Sequence, residues 1–228
     1  MCKSLLVGLA LLAGCCASAQ TVSRSRYVVA SGDGVASVKP DMVRVTVGVT
    51  TQAATAQDAS SQNATVVQNV LDKLKQGFPS ADIKTLNYTL SPVYSYPSNG
   101  SPTLTGFTAS NTVEVSTADL TAAGKIIDTA TGGGANRIDS LSFYLKDDSS
   151  ARATALRLAA AQARQQAEAI ASGLSLKLGN VIVAQQGSAV TPVVADARLG
   201  AGAAATTTPV QSGNVEVRAS VTVQVEIL

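Results

Sequence analysis

The chain has 228 residues, neither His nor Trp, and a nearly balanced charge of 17 Lys and Arg against 15 Asp and Glu. That balance argues against a nucleic-acid partner, which requires a clustered basic face, and against binding to an anionic membrane through charge. The cysteines Cys2, Cys15 and Cys16 all lie near the N-terminus. A Ser-His-Asp triad is excluded, and the rest of the chain lacks the nitrogen and sulfur ligands of a transition-metal site.

The N-terminus has the features of an export signal. Lys3 precedes a short apolar run, and small residues follow it. The run is much shorter than the roughly 20 residues of a membrane-spanning helix. Leu12-Ala13-Gly14-Cys15 predicts a lipoprotein signal of residues 1–14 with a lipidated Cys15, whereas Ala17-Ser18-Ala19 predicts an ordinary signal peptide of residues 1–19. We favour the second cleavage, which releases a periplasmic protein; the first leaves a lipid anchor at Cys15 as the membrane attachment.

Side-chain alternation predicts most of the strands that follow. Residues 20–26 are polar and predict a short tether. Ser31-Gly32-Asp33-Gly34 interrupts the first strand and predicts a bulge or tight bend there. The last strand is unusually long and alternates throughout, which predicts one buried and one wet face. Apolar and polar residues alternate, as in strands, at 27–38, 42–51, 83–96, 106–116, 137–146, 181–185 and 214–228.

Helical spacing of apolar residues occurs at 55–76, 117–131 and 151–174. Thr117 is the predicted N-cap of the second helix, which Gly132-Gly133-Gly134 ends. Asp147-Asp148 predicts a cap for the third helix, whose buried stripe consists mostly of alanine. Residues 186–213 are rich in Gly, Ala and Thr and predict a long flexible loop.

These elements define an α+β fold over residues 27–228. Their order is β-β-α-β-β-α-β-α-β-β, which predicts a mixed, largely antiparallel sheet with helices packed on it and a long C-terminal strand. Neither glycine cluster precedes a helix as a phosphate-binding loop does. No pattern predicts catalytic, cofactor-binding or metal-binding residues. Tyr88, Tyr94 and Tyr96 lie close together in the sequence and predict either an aromatic contact patch or ordinary hairpin packing.

Several motifs in order resemble the SIMPL-domain family, exported bacterial proteins that include periplasmic immunogenic and oxidative-stress-related members. The resemblance extends from Tyr27 to Leu228. It implies an α+β periplasmic protein without established catalytic residues and with a tendency to form homo-oligomers, in some members large and ring-like. The motifs that carry it are Gly32-x-Gly34, Lys39-Pro40-Asp41, the segments 82–92, 106–111 and 134–138, Ser142-Phe143, the Ala-rich helix 152–171, and Leu178-Gly179.

The residues and the resemblance together favour a non-enzymatic cell-envelope protein, either an oligomeric scaffold or a stress-protective factor. The alternative is a periplasmic binding module that holds a small molecule or an envelope polymer through Tyr88, Tyr94 and Tyr96. A hydrolase using carboxylates or a Ser/Lys pair is a third hypothesis, but no residue spacing supports it. The sequence predicts no cofactor.

Overall fold

The computed structural model describes residues 26–98, 100–187, 192–194 and 210–228. Cys15 and both candidate cleavage sites lie outside these ranges, as does most of the predicted tether. The described chain also contains a short 3-10 turn at Leu120–Ala122. Its strands are β1 Tyr27–Val38, β2 Met42–Ala53, β3 Asp82–Ser95, β4 Thr103–Thr117, β5 Arg137–Tyr144, β6 Leu178–Gln186, β7 Pro192–Val194 and β8 Val215–Ile227, and its helices are α1 Ala56–Gly77, α2 Ala123–Gly133 and α3 Ser149–Gly173.

The strands form two antiparallel sheets, each covered by helices on one face. Sheet 1 has the order β1-β8-β6, and the short β7 also pairs with β8; sheet 2 has the order β3-β4-β2-β5. Helix α3 packs on sheet 1, whereas α1 and α2 pack on sheet 2. All the described pairings are antiparallel. The predicted α+β fold, its largely antiparallel pairing and its long C-terminal strand are therefore confirmed.

The core of sheet 2 follows directly from the alternation in β2. Val45 and Val47 are completely buried against the equally buried Val70 and Leu74 of α1. Each such side chain contributes about 1.5–3 kcal/mol by leaving water. Asn63 lies in the same interface, also completely buried. Its Nδ2 donates to the carbonyl oxygens of Val49, at 3.0 Å, and Ala109, at 3.1 Å, which ties α1 to two neighbouring strands.

Helix α3 lies against sheet 1 through backbone contacts that only glycine permits. A Cβ atom at Gly34 would lie 2.0 Å from the carbonyl oxygen of Ala155, and one at Gly32 would lie 2.3 Å from that of Ala159. The predicted interruption at residues 31–34 is wrong, because β1 pairs with β8 through this segment without a change of register. The glycines allow close helix packing; they do not bend the strand.

The predicted stripe of α3 is confirmed for its alanines, which are completely or nearly completely buried, but not for Ile170 and Leu174, which the same spacing placed on it and which are exposed. Ala155, Ala159, Ala163 and Ala167 have no exposed surface. A larger side chain at any of these positions would push the helix away from Gly32 and Gly34, so the small residues on both elements form one complementary contact.

The predicted cap of α2 is wrong, whereas Asp147 and Asp148 lie at the start of α3 as predicted. Thr117 belongs to β4, and the 3-10 turn before α2 is capped instead by Asp119. At the start of α3, Asp147 accepts from the N–H of Ser149 at 2.9 Å. Asp148 pairs with Arg152 at 2.7 Å and makes no capping bond. The predicted role of Gly134 is confirmed: it ends α2 with φ +112°, a left-handed conformation that favours glycine.

Asp119 gives a prediction for the pH dependence of stability. The hydroxyl and the backbone N–H of Thr121 both donate to this carboxylate, and they lower its pKa below the ordinary value. Because the pKa is lower in the folded than in the unfolded state, the stabilisation is complete above the unfolded pKa and is lost as pH falls through the folded pKa. We expect Asp119→Ala to lose stability at neutral pH and to approach the wild type as the pH falls below the ordinary Asp pKa of 3.8 and through the lower folded pKa.

Denaturant titrations of both proteins across this pH range measure the difference. A constant gap between wild type and Asp119→Ala at every pH would show that the carboxylate charge does not cap the turn.

The predicted loop at 186–213 contains more structure than expected. Gln186 completes β6, and Pro192–Val194 pairs with the beginning of β8. Val210, near the end of this segment, packs against the cluster of Val43, Ala123 and Phe143. The rest of the segment lies outside the described residues.

Candidate functional site

A two-stranded ribbon extends beyond sheet 2. The pairing of β2 with β4 ends at Ala53 opposite Phe107, whereas β3 and β4 continue to pair as far as Ser95 opposite Thr103. Among the described residues, the outer part of the β3–β4 hairpin therefore has no third strand beside it. Isolated two-stranded hairpins are marginally stable in water, so the outer part of this hairpin, residues 92–107, has the least support from the described parts of sheet 2. We call the hairpin over residues 88–111 the ribbon.

The ribbon lies within a long segment that has no charged residue. Residues 85–113 contain no Asp, Glu, Lys or Arg, although charged residues make up 14% of the chain. Exposed strands usually carry charges that keep them solvated and prevent pairing with other chains. The ribbon lacks this protection along its entire length.

One face of the ribbon is apolar and incompletely covered. Tyr88 lies opposite Asn111, Leu90 opposite Ala109, and Tyr94 opposite Leu104. This face continues the one on which the valines of β2 meet α1. The exposed fraction is 47% for Tyr88, 40% for Leu90, 46% for Tyr94 and 48% for Leu104. We call these four residues the apolar ribbon face.

The three predicted tyrosines occupy different places on the ribbon. The hydroxyl of Tyr88 donates to the Oγ of Ser60 at 2.9 Å, so it packs beside the first turns of α1. Tyr94 is on the same face but further out. Tyr96 lies beyond the end of β3 and is 75% exposed. The structure therefore brings Tyr88 and Tyr94 onto one surface and places Tyr96 at its tip.

The opposite face of sheet 2 is polar and its charges are paired. Arg44 and Glu114 approach to 3.2 Å, and the guanidinium of Arg44 lies 4.5 Å above the ring of Tyr144. Lys84 pairs with Asp82, which raises the pKa of Lys84. These ions neutralise one another and leave no concentrated charge on this face to attract an ionic ligand.

Asn136 and Arg137 close the edge of β2 where β5 begins. The amide of Asn136 accepts from the N–H of Thr50 at 2.9 Å and donates to its carbonyl at 2.7 Å, as a neighbouring strand would. Arg137 lies over Gly48, where a Cβ would come within 2.8 Å of its Nε. The hydrogen bonds from Arg137 to Asp139 raise the pKa of the guanidinium. The Asn-Arg motif thus has a structural role.

The titratable side chains of the described residues show no arrangement typical of catalysis. Within the described ranges, no three His, Cys, Asp or Glu side chains converge as metal ligands would. The hydrogen bonds around Asp119 and Asp147 lower their pKa values, and the partners of Lys84 and Arg137 raise theirs. Each shift moves the group away from neutrality and preserves its charge, the opposite of what a general acid or base requires.

Two sheets with helices on one face, together with the uncharged ribbon, define an α+β protein with an extended apolar surface that is only partly covered. The chain belongs to the SIMPL family, described as a protein of unknown function (DUF541), whose model matches residues 28–225. None of the helices in the described part is both long and apolar enough to cross a membrane.

Known relatives cover most of the chain. The 26 kDa periplasmic immunogenic protein of Brucella melitensis is 28% identical over 183 residues, which are 78% of this chain and 73% of that protein. The uncharacterized protein YggE of Edwardsiella ictaluri is 32% identical over 171 residues, or 74% of this chain and 72% of the relative. YggE of Escherichia coli K12 is 28% identical over 177 residues, with 77% and 72% covered.

Proposed function

We propose that this chain is a non-enzymatic cell-envelope protein that acts as an oligomeric scaffold or stress-protective factor through the apolar ribbon face. The observation that carries the proposal is the combination of four half-exposed apolar side chains with an uncharged segment spanning residues 85–113. Large apolar surfaces that remain in contact with water mark interaction sites in proteins. The ribbon fits a protein surface better than an ionic ligand because it has no charge with which to bind one.

The side chains of the described residues support a role without catalysis. The polar residues of sheet 2 form ion pairs and edge contacts. Arg137 pairs with Asp139, and the amide of Asn136 donates to the carbonyl of Thr50. Homo-oligomerisation is the simplest use of an apolar surface by a protein that needs no substrate. Copies of the chain that joined through the apolar ribbon face would remove it from water.

The proposed location is the periplasm. It rests on the export signal predicted from residues 1–19 and on the similarity to the periplasmic immunogenic protein of Brucella. Cleavage before Cys15 would instead attach the same domain to the envelope by a lipid. Mass spectrometry of the mature N-terminus distinguishes the two, since a lipid-modified Cys15 identifies the anchored form.

Light scattering after size-exclusion chromatography tests the scaffold proposal. The mature protein at micromolar concentration is expected to elute with the mass of a defined oligomer. A strictly monomeric protein across the accessible concentration range would contradict the scaffold and leave the binding module as the better explanation.

The second candidate function is a periplasmic binding module, favoured by the exposure of Tyr94 and Tyr96. Tyrosine rings can stack on uncharged rings of a small molecule or an envelope polymer. Replacing both tyrosines by alanine should then abolish retention of the protein on purified cell-wall material. Retention equal to that of the wild type would show that these tyrosines do not form the binding surface.

A further inference from the structure

The edge of sheet 1 is formed by β1, and alternate residues of this strand direct their backbone groups outward. Asp33 lies opposite Ser220 of β8. The carbonyl of Ser220 accepts from Gly187 on the other side of β8, at 2.9 Å. Asp33 and Ser220 therefore form a non-hydrogen-bonded pair, and the N–H and C=O of Asp33 point away from the sheet. The same alternation directs the backbone groups of Val29, Ser31 and Val35 outward.

Gln162 of α3 occupies the centre of this edge. Its Oε1 accepts from the N–H of Asp33 at 2.5 Å. The side chain reaches the edge because Gly32 and Gly34 let α3 lie directly on β1. Leu158, one helical turn before Gln162, is 48% exposed. An approaching strand would have to displace Gln162 before it could form hydrogen bonds with Asp33.

Once Gln162 has moved away from Asp33, the outer edge of β1 is suited to pairing with another strand. Apart from Asp33, its outward-facing side chains carry no charge, and Val29 and Val35 are 50% and 46% exposed. In an antiparallel pair of two β1 strands with Ser31 opposite Asp33 of the partner subunit, Val29 lies opposite Val35 of the partner subunit. Each hydroxyl then faces a carboxylate and each valine faces a valine. This register is self-complementary under a two-fold axis.

We propose that the edge of β1 is a strand-pairing surface for a second copy of this chain and that Gln162 holds it closed. Main-chain edges are ready sites for pairing with other chains, and proteins protect them individually. The Asn136 amide protects β2 at Thr50, and Gln162 does the same for β1. The difference is that Gln162 is an exposed side chain on a helix, so rotation about its side-chain bonds frees the N–H of Asp33. The proposal is independent of assembly through the apolar ribbon face.

The first test is amide hydrogen exchange of the wild-type mature protein at low concentration. The amide of Asp33 should exchange at least about tenfold more slowly than those of Val29 and Val35, because one hydrogen bond to a side chain protects it. Equal exchange at all three amides would overturn the proposal, since Gln162 would then not protect the edge.

The second test compares Gln162→Ala with Gln166→Ala by sedimentation velocity over a concentration series. Gln166 is an exposed residue one turn further along the same helix. Removal of the Gln162 amide should strengthen self-association by about tenfold, whereas Gln166→Ala should behave as the wild type. Gln162→Glu retains the acceptor and should also remain unchanged. The association gained by Gln162→Ala should disappear when Val29→Lys is added, because a charged edge residue opposes strand pairing.

Two outcomes of the second test contradict the proposal. The first is unchanged self-association of Gln162→Ala, which would show that the edge does not attract a second copy. The second is increased association that persists with Val29→Lys, which would place the contact elsewhere on the protein. A wild-type oligomer that dissociates only when residues of the ribbon are replaced would support the proposed function. It would not change the interpretation of the Gln162→Ala result.

Discussion

Replacing Gly34 by valine is expected to lower the free energy of unfolding by about 3 kcal/mol or more. The Cβ atom alone would lie 2.0 Å from the carbonyl oxygen of Ala155 and 2.6 Å from the backbone nitrogen of Ala159. Neither backbone atom can move without shifting α3 as a whole. The helix would have to lift from sheet 1 and expose the alanine stripe that is now completely buried.

Denaturant unfolding of the mature protein measures this effect, and Gly132→Ala provides the control. Gly132 belongs to α2, and a Cβ there meets nothing within 4 Å. Alanine at this position should stabilise the protein by up to about 1 kcal/mol, because it favours the helix. Equal stability of Gly34→Val and the wild type would show that α3 does not lie on β1 in this way.

Truncating Phe143 to alanine should cost about 3–5 kcal/mol, the usual range for a buried aromatic residue. Its side chain is 2% exposed and packs with Val43 and Ala123, and the partly buried Val210 lies against this cluster. The cavity left by the ring would loosen β5, the helix α2 and the end of the segment that leads into β8. A decrease in the denaturation midpoint measures the loss.

Ile138 on the same strand is the matched control for Phe143. Because Ile138 is 41% exposed, its replacement by alanine should cost less than about 1 kcal/mol. Phe143→Leu retains most of the apolar volume and should lie between the two. Similar losses for Phe143→Ala and Ile138→Ala would contradict the burial of Phe143.

The fold was predictable where burial repeats regularly along the chain. Alternation in β2 and β8 and the apolar spacing of α1 each follow from one buried face, so local sequence contains the information. The role of Gly32 and Gly34 in β1 was predicted wrongly because these glycines accommodate α3, which lies more than a hundred residues later in the chain. The cap of α2 was misplaced for a similar cause: β4 pairs with β2 as far as Thr117, and tertiary pairing overrides the local capping preference of that residue.

The candidate site was only partly visible in the sequence. Tyr88, Tyr94 and Tyr96 could be identified from the sequence because they lie close together on one segment. Leu104, which faces Tyr94 across the hairpin, was missed since its position depends on a register shift in β4. The absence of charge over residues 85–113 is the signal that could have revealed the ribbon. No local pattern marks Gln162, because its contact with Asp33 joins two elements that are distant in the chain.

The most direct test of the proposed assembly surface is the mass of the mature protein before and after the facing pair Tyr94 and Leu104 is replaced by serine. Both side chains are about half exposed, so the ribbon should keep its fold. Ser91→Ala with Thr108→Ser, a facing pair on the opposite side of the ribbon, is the control. Light scattering should show a defined oligomer for the wild type and the control, and a monomer for the Tyr94 and Leu104 variant. A monomeric wild type, or a variant with the full oligomeric mass, would contradict assembly through the apolar ribbon face.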